Sequence, residues 1–312
     1  MKLYAAPLQG FTESAWRHIH HKVFGGIDAY YTPFVRIEKG TFRHKDVRDI
    51  GEDSAAEVPT IPQLIAATPA ELEQLAGLFA EHGYKEADIN MGCPFPLIIG
   101  KQKGSGILPY PEKVKALLDE LKHHPSIRFS VKMRLGLSEA DEWKALLPML
   151  NEAELTRIVL HPRIGKQQYK GEVCLDQFSD FYQACKHPLV YNGDLMTVEE
   201  MHQMVERFPN LEGLMLGRGL LANPLLAAAY QSDRDFDSKE IATRLGEWHD
   251  ALYRYYADCL QGETQLLAKM KPYWEYLYPE ADRKLRKAIH KANTLSKYQT
   301  ATRLFIESLA AK

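Results

Sequence analysis

Between residue 3 and about residue 220, short apolar runs alternate with longer amphipathic stretches, and this alternation constrains the fold more than any single motif. The runs Leu3–Ala6, Ala29–Thr32, Ile61–Ile65, Ala87–Asn90, Phe129–Met133, Arg157–Leu160, Leu189–Tyr191 and Gly213–Leu216 have the length and composition of strands. The stretches between them repeat apolar residues at helical spacing. In Pro69–Phe79, Thr68 stands as the N-cap and Pro69 takes the first helical position, where a missing N–H costs nothing. Glu199–Phe208, following Thr197, has the same design. Eight strands alternating with helices predict an α/β fold, a (β/α)8 TIM barrel over residues 1–231. A doubly wound open sheet is the alternative. The alternation then stops: Ser232–Ser238 is a polar linker, and Ile241–Lys312 holds no strand-like run. A C-terminal all-helical domain over 241–312 is expected.

The 312 residues suffice for one large domain with an appendage, and 45% apolar with 26% charged residues is ordinary globular composition. No run approaches the roughly 18 apolar residues of a membrane span. The opening Met1–Pro7 turns polar too early for a secretory signal. Cysteines 93, 174, 185 and 259 include no C-x-x-C pair, which fits neither a disulfide framework nor a zinc site. His18/His21 and His123/His124 have no thiolate or carboxylate at ligand spacing, so no metal is expected. A cytoplasmic location fits best. Net charge is −2, but Gln265–Lys312 carries ten basic against four acidic residues, leaving −8 on the rest. Such a tail suits a polyanionic partner or a solvated helical face.

In a barrel of this kind, chemistry sits beyond the C-terminal ends of the strands. The fourth strand runs into Asn90-Met91-Gly92-Cys93-Pro94, which places one thiol at that face, and Gly104-Ser105-Gly106 follows eleven residues later. The loops after the seventh and eighth strands, where barrels often hold phosphate, read Asn192-Gly193-Asp194 and Gly217-Arg218-Gly219. Glycine admits close backbone approach to an anion, and Arg218 offers a planar donor fork. Gln63, Lys132 and His161 end or line other strands, and Ala6-Pro7-Leu8 ends the first. Taken singly, Gln63 and His161 read as structural residues; a strand lysine demands a compensating charge. Together with a phosphate seat they describe a site for a phosphorylated planar cofactor. Flavin mononucleotide fits, with Lys132 against the N1/O2 edge of the reduced ring. No G-x-G-x-x-G follows a strand and no Walker motif occurs, which argues against a Rossmann site or a P-loop.

These motifs resemble the bacterial-type tRNA-dihydrouridine synthases. The likeness runs through Ala6-Pro7-Leu8-Gln9-Gly10, Asn90–Pro94 with Gly104-Ser105, and Lys132-Met133-Arg134-Leu135-Gly136. It continues in His161-Pro162-Arg163 with Gln167 and Tyr169, then Asn192-Gly193-Asp194 and Gly217-Arg218-Gly219. Where such enzymes often carry basic residues after the cysteine-proline pair, this chain has Phe95-Pro96-Leu97-Ile98-Ile99. The resemblance implies FMN, with NADPH or NADH as reductant and tRNA as partner. FMN would be held by Pro7, Leu8, Gln9, Gln63, Lys132, His161, Asn192, Gly193, Asp194, Gly217 and Arg218. It implies hydride addition at uracil C6 and protonation of C5 by Cys93, whose thiol stays mostly protonated at its ordinary pKa of about 8.5. Asn90 would meet the uracil edge. Arg283, Lys284, Arg286, Lys287 and Lys291 would meet RNA phosphates, and the target base must leave its stack. Three alternatives stay open: a small-molecule ene- or dihydroorotate-type flavoenzyme, a Schiff-base lysine enzyme built on Lys132, and a catalytically dead RNA binder. The aromatic run Tyr273–Tyr278 reads as packing between helices.

Overall fold

The computed structural model describes residues 1–54 and 58–311; Lys312, counted in the basic tail, lies outside them. Eight parallel strands form the barrel: β1 (Lys2–Ala5), β2 (Ala29–Tyr31), β3 (Thr60–Ile61 and Gln63–Leu64), β4 (Glu86–Met91), β5 (Arg128–Gly136), β6 (Leu155–Ile164), β7 (Leu189–Tyr191) and β8 (Gly213–Leu216). Each expected run is a strand. β1 pairs with both β2 and β8, so the sheet curls back on itself.

The closing seam is β3, expected as one run and found in two. Pro62 has no N–H to give to a ladder, so it interrupts the strand. Thr60–Ile61 pairs with β2 and Gln63–Leu64 with β4. Three bonds bridge the break: Thr32 N–H to Ile61 O at 3.1 Å, Val35 N–H to Gln63 O at 2.7 Å, and Asp88 N–H to Pro62 O at 2.9 Å. β5 and β6 run longer than expected because they stay paired from Phe129–Leu155 to Gly136–Ile164, with irregularities that re-aim the strands. His161 therefore lies inside β6, opposite Arg134, and not at the strand's end.

The N-terminal end of the barrel is plugged. Tyr4, Tyr31, Ile61, Val159, Val190 and Met215 form an apolar layer. Below it Arg157 joins Glu86 and lies 3.2 Å from Glu212, whose other oxygen accepts the Tyr4 hydroxyl at 3.1 Å. A small hairpin not anticipated from the sequence, Ile37–Glu38 with Thr41–Phe42, turns on Lys39 and Gly40, both at positive φ as a two-residue loop requires.

Helices begin where capping chemistry says they should. Thr68 Oγ1 accepts the Glu71 N–H at 3.3 Å to start Pro69–Glu81, and Thr197 Oγ1 accepts the Glu200 N–H at 3.2 Å beside Val198–Arg207. After β8 the chain is helical, with Ser238–Cys259, Gly262–Met270, Arg283–Lys291 and Leu295–Ala310 the main elements. Trp248, Trp274, Tyr298 and Phe305 are buried in their core. Trp274 Nε1–H donates to the Tyr298 hydroxyl at 2.9 Å, and His249 Nε2 lies 3.1 Å from the same oxygen. The chain forms two compact units. One comprises Met1–Ser14, Asp28–Asp194 and Val205–Leu216; the other comprises Ala15–Ile27, Leu195–Met204 and Gly217–Lys312. Among the described residues no helix is long and apolar enough to cross a membrane.

Candidate active site

Cys93 is held by its backbone on both sides. Asn90 Oδ1 accepts the N–H of Gly92 at 3.1 Å and of Cys93 at 2.8 Å, which folds the chain sharply as it leaves β4. The Cys93 carbonyl accepts both the N–H and the hydroxyl of Ser105, each at 3.0 Å. Gly104 sits at φ +57°, and a Cβ there would lie 2.6 Å from Cys93 O and 2.8 Å from Cys93 Cβ. Only glycine allows that approach, which explains the fixed spacing of the glycine-serine pair. The thiol is half-buried, and burial pushes its pKa up, opposed by the Phe95 N–H and by Arg134, Lys132 and Arg36. A thiol so placed is protonated at neutral pH and suited to give a proton.

Behind Cys93 runs a buried polar chain. Residues two apart on a strand share a face, so Asp88 and Asn90 on β4 stand beside Ser130 and Lys132 on β5. Ser130 Oγ donates to Asp88 Oδ1 at 2.7 Å and Gln63 Nε2 to Asp88 Oδ2 at 2.7 Å. Asn90 Nδ2 donates to Gln63 Oε1 at 2.7 Å. The amides of Gln63 and Asn90 are thereby oriented by a carboxylate three hydrogen bonds from the Cys93 backbone N–H, and each retains one N–H beyond these bonds. Burial pushes the Asp88 pKa up to about 6 against these bonds and the Lys132 charge.

Lys132 is different: it is half-buried and has no hydrogen-bond or ion-pair partner among the described residues. Burial, with Arg134 nearby, brings its pKa down to about 8, while Asp88 and Cys93 act in the opposite sense. An ammonium in that position fits an anionic ring edge. Arg134 is committed to the backbone, donating from Nε to Gly92 O and from Nη1 to Ile164 O, both at 2.9 Å, with its guanidinium 5.5 Å from the Tyr169 ring centre.

His161 is buried, 3.2 Å from Arg163 Nη1 and against the Tyr169 ring. Arg163 grips Asp194 with both terminal nitrogens, one at 2.9 Å, so the Asp194 carboxylate is turned toward the protein. Asn192 Nδ2 donates to Met215 O at 2.8 Å, and Gly193 packs so closely on Tyr191 that a Cβ would meet its hydroxyl at 3.0 Å. After β1, Leu8 N–H donates to Thr12 Oγ1 at 2.8 Å and Gln9 Nε2 to Phe34 O at 3.3 Å, with Pro7 half-buried between strand and turn. Gly217 follows β8 directly, and Arg218 opens the short helix Arg218–Ala222 in the second unit.

In that unit the helix Arg283–Lys291 is capped by Asp282. Arg283, Lys284, Lys287 and Lys291 are exposed. Arg286 instead turns inward, donating to Leu277 O and Pro279 O at 3.1 Å and to Tyr278 O at 2.5 Å. Tyr273 and Trp274 are core residues, as their helical setting suggested. The sequence motifs gave no role to Asp88, Ser130 or Arg163. The signal for Asp88 was present in its spacing: a carboxylate two residues before Asn90 must face the barrel interior.

A profile described as dihydrouridine synthase matches residues 4–310. The tRNA-dihydrouridine(16) synthase of Pseudomonas putida is 28% identical over 263 residues, 81% of this chain and 79% of that protein. The probable tRNA-dihydrouridine synthase 2 of Bacillus subtilis is 27% identical over 248 residues, 76% of this chain and 73% of that protein. Among solved structures, morphinone reductase superposes with a TM-score of 0.56 at 10% identity, covering 76% of this chain and 88% of that one. The old yellow enzyme of Trypanosoma cruzi gives 0.53 at 12% identity, covering 76% and 89%. At such identity these structures speak to the barrel alone. With the profile spanning nearly its full length, the chain belongs to the dihydrouridine synthase family.

Proposed function

We propose that this protein reduces the C5=C6 bond of uridine in tRNA, using FMN and NADPH or NADH, with Cys93 as the proton donor. The observation that carries the assignment of Cys93 is a half-buried thiol on a turn fixed from both sides by Asn90 and Ser105, where burial favours its protonated form. Bound FMN supplies the hydride for C6. Lys132 holds a positive charge for the N1/O2 edge of the ring, which its partnerless ammonium fits. Gln63 and Asn90 direct their remaining N–H groups at carbonyl acceptors, Gln63 toward the cofactor and Asn90 toward the uracil. The Cys93 thiol protonates C5 as negative charge gathers there. Pro7, Leu8, Gln9 and His161 are assigned to the cofactor, with Asn192, Gly193, Gly217 and Arg218 for its phosphate. Asp194, through its ion pair, fixes Arg163 beside His161.

Residues 241–312 are assigned to tRNA contact. The exposed cations Arg283, Lys284, Lys287 and Lys291 support this, and Arg286 braces their helix. The working compartment is the cytoplasm. Mass-spectrometric mapping of tRNA from cells lacking the protein tests the whole proposal. A uridine lighter by two hydrogens at a defined position is expected, and an unchanged dihydrouridine map refutes it.

A further inference from the structure

Phe95 is 55% and Leu97 71% exposed, the two highest values for large apolar side chains among the described residues. Both lie within four residues of Cys93, on or next to the single-turn helix Pro96–Ile99. The segment is anchored from beneath. Ile98 is 4% exposed and packs with Phe34, Ile65 and Cys93. The Phe95 carbonyl accepts the N–H of Ile98 at 2.9 Å and of Ile99 at 3.0 Å. Gly106 lies so close that a Cβ on it would stand 2.7 Å from Ile99 Cα. Lys103, buried, ties the end of the loop to Glu71 at 2.6 Å. The exposure of Phe95 and Leu97 is therefore imposed by a fixed turn.

Apolar groups held out of the core beside a reaction centre mark a surface for a partner. The patch is continuous through Ile98 with Cys93, the thiol assigned to a tRNA uridine, so the partner it meets is the RNA that carries that uridine. A uridine that reaches Cys93 must leave its stack, which opens a gap between two base faces. Flat or branched apolar side chains fill such gaps.

We propose that Phe95 and Leu97 form an apolar wedge that stacks against the nucleobases flanking the target uridine and occupies the space it vacates. The wedge rests on the assignment of Cys93 as the reacting thiol. It acts on the RNA around the uridine and not on the C5=C6 bond.

Phe95→Ser, Phe95→Leu, Phe95→Trp and Leu97→Ser are compared with the unaltered holoenzyme on bulk tRNA from a strain lacking the protein. Dihydrouridine is measured by mass spectrometry. Phe95→Ser should lower kcat/KM by about 5- to 150-fold, the range of one lost base stack. Phe95→Trp, which keeps a flat face, should stay within about threefold of the unaltered protein, with Phe95→Leu between the two. Leu97→Ser should weaken the reaction in the same direction. Full activity in Phe95→Ser overturns the proposal, as does an equal loss in Phe95→Ser and Phe95→Trp. A loss that accompanies dissociation of a dimer, seen by light scattering, also overturns it and makes the patch a self-association surface. Cys93→Ala, run in parallel, separates the two claims: if it makes dihydrouridine at the rate of the unaltered protein, the proton-donor assignment fails whatever the wedge variants do.

Discussion

The side-chain oxygen of Asn90 receives the backbone N–H of Cys93 at 2.8 Å, so the residue that ends the fourth strand also sets the position of the thiol. Asn90→Ala leaves the N–H groups of Gly92 and Cys93 without their acceptor. The expected cost is about 1–3 kcal/mol of stability. Alkylation of Cys93 should also become faster as its turn loosens. Thermal denaturation and iodoacetamide labelling check both.

Cys93→Ala should lower dihydrouridine formation by about 100- to 10,000-fold, the usual contribution of a positioned general acid. In the unaltered protein the protonated thiol is the active form. Burial raises its pKa, so activity should persist to pH values above the ordinary thiol range and fall only beyond it. A rate that rises as the thiol ionises would show it acting as a nucleophile.

Lys132 has its pKa brought down to about 8, so folding favours its neutral form. A depressed lysine pKa costs the folded state stability in full below about pH 8, and the cost disappears as pH rises through the ordinary lysine value. Lys132→Met should therefore stabilise the apoprotein at pH 7 by on the order of 1–2 kcal/mol, an advantage that fades as pH rises toward 10. The same substitution should weaken FMN retention. Apoprotein melting curves at several pH values and flavin titration separate the two effects.

Gly104→Ala places a methyl group 2.6 Å from the Cys93 carbonyl at a backbone angle that alanine disfavours. A loss of about 1–3 kcal/mol is expected, with activity reduced more than stability because the thiol itself is displaced. Melting temperature and tRNA turnover report each.

On the helix Arg283–Lys291, neighbouring residues should behave oppositely. Lys287→Ala should weaken tRNA binding and flatten the dependence of log K on log salt by roughly 0.7–0.9. Arg286→Ala removes the donor to three carbonyls and should lower the melting temperature instead. Binding titrations across salt, beside melting curves, distinguish phosphate contact from bracing.

The barrel was legible because strands and helices obey different periods, and each of the eight runs is a strand. The turn at Cys93 was legible because proline, glycine and serine have narrow backbone uses. What escaped was cooperative. Pro62 announced a missing N–H, but the split pairing of β3 depends on where β2 and β4 come to lie. Gln63 stands 25 residues before Asp88 and 27 before Asn90, and it acquires joint meaning with them only when strand register sets β3 beside β4. Arg286 carries the same charge as Lys287, and only the carbonyls of Leu277, Tyr278 and Pro279 assign it a bracing role. Exposure, which marks out Phe95 and Leu97, is a tertiary property that composition does not encode.

The ionic plug of Arg157 between Glu86 and Glu212 leaves the barrel a single mouth. A reductant and an RNA that both react at this mouth are then expected to follow one another, and initial-rate plots for the two reactants should run parallel, without intersecting.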